Sequence, residues 1–390
     1  MSFPLAARAR ELQPSLTLAI SARARQLRAE GRDICSLSAG EPDFDTPAFI
    51  RQAAIEALEG GHTRYGPVAG EPALRQAIAA KHSEENGVAT EAAQVLITNG
   101  GKQALFNLFQ VLLNPGDEVL IPSPYWLSYP DMVQLAGGRP VLVPSDAASG
   151  FRPDPQRLEA AITPATRLLV LNSPSNPTGM VLSRSDLEAI AAVLRRHPSV
   201  AVVCDEIYEY LLAPGLEHHS FAAVAPDLSE RVFVVNGFAK GWAMTGWRLG
   251  WLRGPEAVVA AAAALQSQST SNVCSFAQFG ALAAIRGPRD CVNTMAARFT
   301  ARRTLLSEGL QALEGVRLLP PQGAFYAFPD VSAWGLDSIS LCRRLLDREG
   351  LAVVPGIAFG DDRCIRLSCA ASSDTLRDGL ARLARFQASL

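Results

Sequence analysis

Short apolar runs rich in Val, Ile and Leu punctuate the chain at residues 94–97, 118–121, 140–143, 167–171, 200–204 and 231–235, and most lead into a polar turn and then a helical pattern. Their hydrophobicity is continuous rather than alternating, which marks strands buried on both faces, as in a parallel sheet covered by helices. Amphipathic segments lie between them, at 102–113 and 186–196 for example. The second is predicted to open on a capping box of Ser185 and Glu188 and to stop before Pro198. Alternation of β and α over roughly 200 residues argues for one large α/β domain, placed at 45–290. Beyond it the texture changes. A long Arg-rich helix (296–313), a strand-like stretch (324–328), a helix near 339–349, further strand-like stretches near 353 and at 364–367, and a terminal helix read as a smaller α+β domain at 291–390. Residues 1–44 are too few to fold alone and are expected to form an arm packing on the small domain.

Composition narrows the classes. At 48% apolar over 390 residues the chain can bury a sizeable core, which excludes disordered and fibrous classes. With 36 basic against 38 acidic side chains the net charge is −2, so no field draws in nucleic acid, and no nucleic-acid partner is expected. The longest apolar run, residues 257–265, is about half of the roughly 20 residues that cross a bilayer, and no membrane partner is expected either. The N-terminus lacks the apolar block of a secretory signal, which gives a cytoplasmic address as the expectation. Seven cysteines with no CxxC pair suggest neither a disulfide framework nor a zinc site, and the adjacent His218 and His219 are read as a solvated loop; no metal is expected.

In open α/β sheets ligands sit beyond the carboxyl ends of the strands, so the residues just after each run carry the information. In order they are Thr98-Asn99-Gly100-Gly101-Lys102, Ser123-Pro124-Tyr125-Trp126, Asn172-Ser173-Pro174-Ser175-Asn176-Pro177-Thr178-Gly179, Asp205-Glu206-Ile207-Tyr208 and Asn236-Gly237-Phe238-Ala239-Lys240. Gly100 and Gly101 open a helix whose bare amides suit a single phosphate, and they match neither GxGxxG nor GxxxxGK[ST]. Asp205 ends an all-apolar run and needs a cationic partner to stay ionised. Lys240, after another buried run, becomes an amine nucleophile if partly desolvated. An amine, an acid, an amide-lined phosphate cup and an aromatic ring are together what pyridoxal phosphate requires of a protein.

The same residues carry a resemblance. Asn176-Pro177-Thr178-Gly179, Asp205-Glu206-Ile207-Tyr208, and Ala239-Lys240 followed by Met244-Thr245-Gly246-Trp247-Arg248-Leu249-Gly250 resemble the signatures of fold-type I, class I aminotransferases, from Ala39-Gly40-Glu41-Pro42-Asp43-Phe44 to Ile365-Arg366-Leu367-Ser368. The resemblance implies the fold-type I architecture, pyridoxal 5'-phosphate as cofactor, amino acids and 2-oxo acids as substrates, and a homodimer with shared active sites. By it, Lys240 would form the Schiff base, Asp205 would pair with the ring nitrogen, and Tyr208 and Asn176 would hydrogen-bond the phenolic oxygen. Trp126 would stack on the ring. Gly101, Lys102 and Gln103 would offer amides to the phosphate, Arg248 its charge, and Tyr65 would reach the phosphate of the neighbouring subunit. Arg366 would clamp the substrate α-carboxylate, with Gly40, Trp126 and Asn176 lining the same pocket.

Two departures refine this. Ala239 stands where many members have serine, so one phosphate hydroxyl is missing. The stretch Gln266-Ser267-Gln268-Ser269-Thr270-Ser271-Asn272 lacks the arginine that binds a distal carboxylate in one branch of aspartate aminotransferases. Instead, Gly100-Gly101-Lys102-Gln103-Ala104-Leu105-Phe106-Asn107 resembles the other bacterial branch, in which this lysine meets the distal carboxylate; Thr17 with Lys102 resembles members of it that also use prephenate. The expected activity is therefore ping-pong transamination between aspartate or glutamate and a 2-oxo acid. Competing readings are a β-eliminating carbon–sulfur lyase on the same fold, disfavoured by Lys102, and a cofactor-binding regulator, for whose DNA-binding module there is no room before Gly40.

Overall fold

The computed structural model describes residues 3–12 and 16–390. In chain order the strands are β1 (Cys35–Ser36), β2 (Val95–Thr98), β3 (Glu118–Ser123), β4 (Arg139–Pro144), β5 (Thr166–Asn172), β6 (Ala201–Asp205), β7 (Val232–Gly237), β8 (Gly250–Arg253), β9 (Tyr326–Ala327), β10 (Leu351–Ala352), β11 (Val354–Pro355) and β12 (Ile365–Ser368). Seven of them form one sheet in the order β2-β8-β7-β6-β5-β3-β4. It is parallel except for β8, which runs against both its neighbours, and this is the fold-type I α/β architecture. Interior strands β6, β7 and β8, and the edge strand β2 as well, are buried almost throughout because helices cover both faces, which accounts for their unbroken apolar runs.

Three expectations need correction. The run at 140–143 is expected to be buried on both faces, but β4 is one edge of the sheet and Leu142 is 46% exposed. Pro140, with no N–H for a ladder, is compatible with that edge position. The helix Arg184–Arg196 is capped two residues earlier than expected. Ser183 Oγ accepts from Asp186 N (3.2 Å) and Asp186 accepts from Ser183 N (2.8 Å), while Ser185 and Glu188 lie inside the helix. Finally, His218 is no solvated loop residue. Its side chain is buried with Nε2 3.2 Å from Glu206, and although burial alone would lower its pKa, the carboxylate raises it.

A second core gathers Phe299, Phe325, Leu341, Leu367 and Phe386 around the three-stranded antiparallel sheet β11-β12-β9. Cys35 and Leu37 join it, and β1 pairs in parallel with β10. Tyr208 and Leu211, from the loop after β6, belong to the same cluster, so packing is continuous between the two sheets. All seven cysteines are free, five of them buried. Among the described residues no helix is long and apolar enough to cross a membrane.

Candidate active site

Parallel register sets the carboxyl ends of β5, β6 and β7 side by side, with Asn172 opposite Asp205 and Asp205 opposite Val235. The loops leaving these ends wall a cavity of about 400 Å³, lined among others by Thr17, Gly40, Gly101, Lys102, Trp126, Asn176, Asp205, Tyr208, Lys240, Arg248, Tyr326 and Arg366.

Asp205, 6% exposed, lies in the wall of the cavity. Its Oδ2 accepts from the Tyr129 hydroxyl at 2.8 Å and its Oδ1 from the Ile207 amide at 3.2 Å. Burial outweighs those two donors and pushes its pKa up to about 6. Lys240 Nζ donates to the Gly40 carbonyl and lies 5.9 and 5.7 Å from the centroids of the Tyr208 and Phe325 rings. Desolvation brings its pKa down to about 8; Glu41 opposes this shift, while Arg366 and Arg248 reinforce it.

The helix Gly101–Leu112 points its N-terminus at the cavity from Gly100, which has φ 82°. The Gln103 amide is already taken by the Gly100 carbonyl (3.1 Å), and the Gln103 side chain binds Asn99 N (2.6 Å) and Thr270 (2.8 Å), so Gln103 lies beside the cavity rather than in its wall. The amides of Gly101 and Lys102 have no acceptor among the described residues. Arg248 reaches the same end, its guanidinium donating to the Thr245 and Asn99 carbonyls at 3.0 and 3.3 Å. This is an anion cradle made of two free amides and a guanidinium.

Arg366, 2% exposed, is held by Asn176 Oδ1 and the Ser38 carbonyl, both at 3.0 Å, between the rings of Tyr326 (4.4 Å) and Phe359 (4.8 Å). Its Nε has no partner. Tyr208 and Tyr326 share a hydroxyl hydrogen bond of 3.0 Å. Lys102 Nζ stands 5.0 Å from the Trp126 ring centroid and makes no ion pair among the described residues; burial, then Arg248, lowers its pKa while Asp131 opposes the shift. Ala239 brings only a methyl to the cavity, whose hydroxyls come from Thr17, Ser128, Tyr208 and Tyr326. Tyr65 is not brought there: it is 92% exposed, in a separate hollow with Asn272 and Cys274.

Sequence reasoning missed Tyr129, Tyr326 and Ser38. Tyr129 lies three residues past Trp126, a spacing that returns to the same side of a helix, and Tyr326 sits in a stretch already read as strand.

An amine of lowered pKa, a buried carboxylate, an anion cradle and a flat indole around one cavity complement a planar aldehyde bearing one phosphate. The model of the family described as aminotransferase class I and II matches residues 32–383. The chain belongs to this family. The aminotransferase is 45% identical over 389 residues to the aspartate/prephenate aminotransferase of Cereibacter sphaeroides, covering 97% of each chain. It superposes on the aspartate aminotransferase from Rhizobium meliloti with a TM-score of 0.96 at 41% identity, covering 99% of both chains. For the Thermus thermophilus aspartate aminotransferase with maleate the TM-score is 0.94 at 46% identity, covering 98% of this chain and 100% of that one. The aminotransferase is thus a pyridoxal-phosphate-dependent transaminase.

Proposed function

We propose that the enzyme transfers the amino group of aspartate or glutamate to 2-oxoglutarate or oxaloacetate by a ping-pong reaction, as a homodimer. The observation that supports an acidic substrate is the pair of cations in one cavity. Arg366 is buried with a free Nε, and Lys102 makes no direct ion pair among the described residues, Asp131 acting on it only from beyond contact distance. A dicarboxylate satisfies both. Aspartate and maleate in the names and titles of its relatives agree with this reading.

The residues fit pyridoxal phosphate: the free amides of Gly101 and Lys102 with Arg248 would hold its phosphate, Trp126 its ring face, Asp205 its ring nitrogen, and Tyr208 with the Asn176 amide nitrogen its phenolic oxygen. Bound there, the group supplies a carbonyl carbon for exchange with amines and an electron-accepting ring. Arg366 orients the substrate by its α-carboxylate, with two or more donors in the fixed fork of a guanidinium. Lys240, neutral above about pH 8, takes the Cα proton on Nζ and returns it nearby, a general base and acid held at short range. Asp205 stays ionised against a cation at the ring nitrogen. Asn176 ties the two halves together, because its Oδ1 accepts from Arg366 while its amide nitrogen remains to donate.

Thr17, whose buried hydroxyl has no partner in the same cavity, supports prephenate as a second acceptor. We also propose the division 1–44, 45–290 and 291–390 as arm, large domain and small domain, so that Arg366 and Asp205 stand on different bodies across the cavity.

The test is a comparison of kcat/KM for aspartate, phenylalanine and prephenate. Lys102→Ala should lower the value for aspartate by roughly ten- to several-hundred-fold, as for a lost charge-assisted contact, and that for phenylalanine far less. Arg366→Ala should impair every substrate. Equal losses for acidic and neutral substrates in the Lys102 variant would rule out the dicarboxylate reading.

A further inference from the structure

Tyr129 takes part in no reaction step above, yet it is 1% exposed and its one polar atom is committed to Asp205. It stands in the helix Ser128–Leu135, one turn from Trp126, whose ring it meets edge to face at 5.3 Å and 83°. One side chain therefore touches both the carboxylate and the indole in the cavity wall. A buried phenol is not needed for packing there, since phenylalanine fills the same space, and its hydroxyl is burdened with a partner that burial makes costly to keep charged.

We propose that Tyr129 is the positioning residue for Asp205, its hydroxyl fixing Oδ2 and keeping the carboxylate charged while its ring braces Trp126. The geometry accounts for both halves of this role. Oδ2 is held by Tyr129 and Oδ1 by the Ile207 amide, so the carboxylate cannot rotate without losing a donor, and each oxygen keeps a further lone pair to accept with. The groups around Asp205 pull its titration both ways, with burial the strongest influence. Lys240 and the two donors favour its ionised form, while Glu206 and its own burial oppose it, and without the phenol the balance tips toward the neutral acid. Tyr208 also faces it, with a pKa raised well above the ordinary by burial first, so it carries no charge at neutral pH, while Cys204 points to the other face of β6.

This inference rests on the reading that Asp205 meets the ring nitrogen, and the experiment separates the two. Equilibrium binding of pyridoxal phosphate to cofactor-stripped full-length protein is measured from pH 5 to 9 for wild type, Tyr129→Phe, Asp205→Asn and the double variant. Wild-type affinity should fall as pH drops through about 6, where Asp205 gains its proton. In Tyr129→Phe the fall should come about one to two pH units higher, the shift for a lost hydrogen bond to a charged group. In Asp205→Asn the inflection near pH 6 should vanish, leaving the dependence set by Lys240, and adding Tyr129→Phe should then change affinity less than about twofold, because nothing charged is left to position. A Tyr129→Phe curve superimposable on wild type, with the inflection near pH 6 gone in Asp205→Asn, overturns the role of Tyr129 and leaves that of Asp205 standing. An inflection near pH 6 retained in Asp205→Asn overturns both. Should Tyr129→Phe fail to fold, 3,5-difluorotyrosine at position 129 keeps the shape and makes a stronger donor; the fall should then move to lower pH, and no movement counts against the proposal.

Discussion

An ordinary lysine holds its proton to about pH 10.4, whereas Lys240 releases it at about 8 because the cavity strips water from the ammonium and places two guanidinium groups nearby. The charged form is the one disfavoured, so the neutral amine accumulates as pH rises through about 8. Capture of pyridoxal phosphate by cofactor-stripped protein should therefore accelerate up to about pH 8 and level off above it; stopped-flow absorbance that still rises tenfold per unit at pH 9 would contradict this. Borohydride treatment of the loaded enzyme should fix the cofactor on Lys240 alone, as read by peptide mass spectrometry. Lys240 and Asp205 were legible in the chain because each is an ionisable group set at the end of an apolar run, a combination that is costly unless used, whereas Arg366 was legible only through the resemblance. Tyr129 and Tyr326 were not, because an aromatic residue in an apolar stretch looks the same whether or not its hydroxyl has a partner.

Elements place those residues, and one tight joint among them lies where β8 passes under the phosphate cradle. A methyl added at Gly250 would stand 2.5 Å from the Gly101 amide nitrogen and 2.6 Å from the Gly100 carbonyl carbon, both backbone atoms that cannot swing aside. Gly250→Ala should push the helix Gly101–Leu112 off its seat, destabilising the fold by about 1–3 kcal/mol as overpacking does and releasing cofactor more readily. Thermal unfolding and dialysis retention check the two effects, and a variant unchanged in both would mean the helix tolerates the displacement. The helix Arg184–Arg196 offers a second test. Ser183→Ala should cost about 1 kcal/mol as a lost N-cap, while Ser185→Ala, inside the helix, should change stability by a few tenths at most. Denaturant titration that ranks the two the other way would restore the capping box expected from the sequence. That box was misplaced because Ser183 and Ser185 both stand three residues before an acidic side chain, Asp186 and Glu188, and spacing alone cannot choose between them.

At the scale of the whole molecule Tyr65 stands out, an aromatic side chain 92% exposed and outside the cavity of its own chain. If it completes the site of a neighbouring subunit, two inactive variants can repair each other. Mixing Tyr65→Ala subunits with Lys240→Ala subunits should restore activity to about a quarter of wild type, since half of randomly assorted twofold dimers are mixed and each carries one complete site. Mixing that restores nothing, with exchange of subunits confirmed by native mass spectrometry, would place Tyr65 outside the site.

Periodicity and strand-end chemistry determined a great deal before any coordinates: a mostly parallel sheet, its covering helices, and the loops bearing Lys102, Asn176, Asp205 and Lys240. These are local properties, since a buried strand must be apolar on both faces and a polar group at its end must have a use. Tertiary structure alone decided which end of which strand meets which. It made β4 an edge, inserted β8 against the direction of its neighbours, and buried His218 against Glu206. It set Tyr129 on Asp205 across 76 residues, and Arg366 on Asn176 and Ser38 across 190 and 328. Such pairings follow from how the whole core closes, and no run of neighbouring residues contains them.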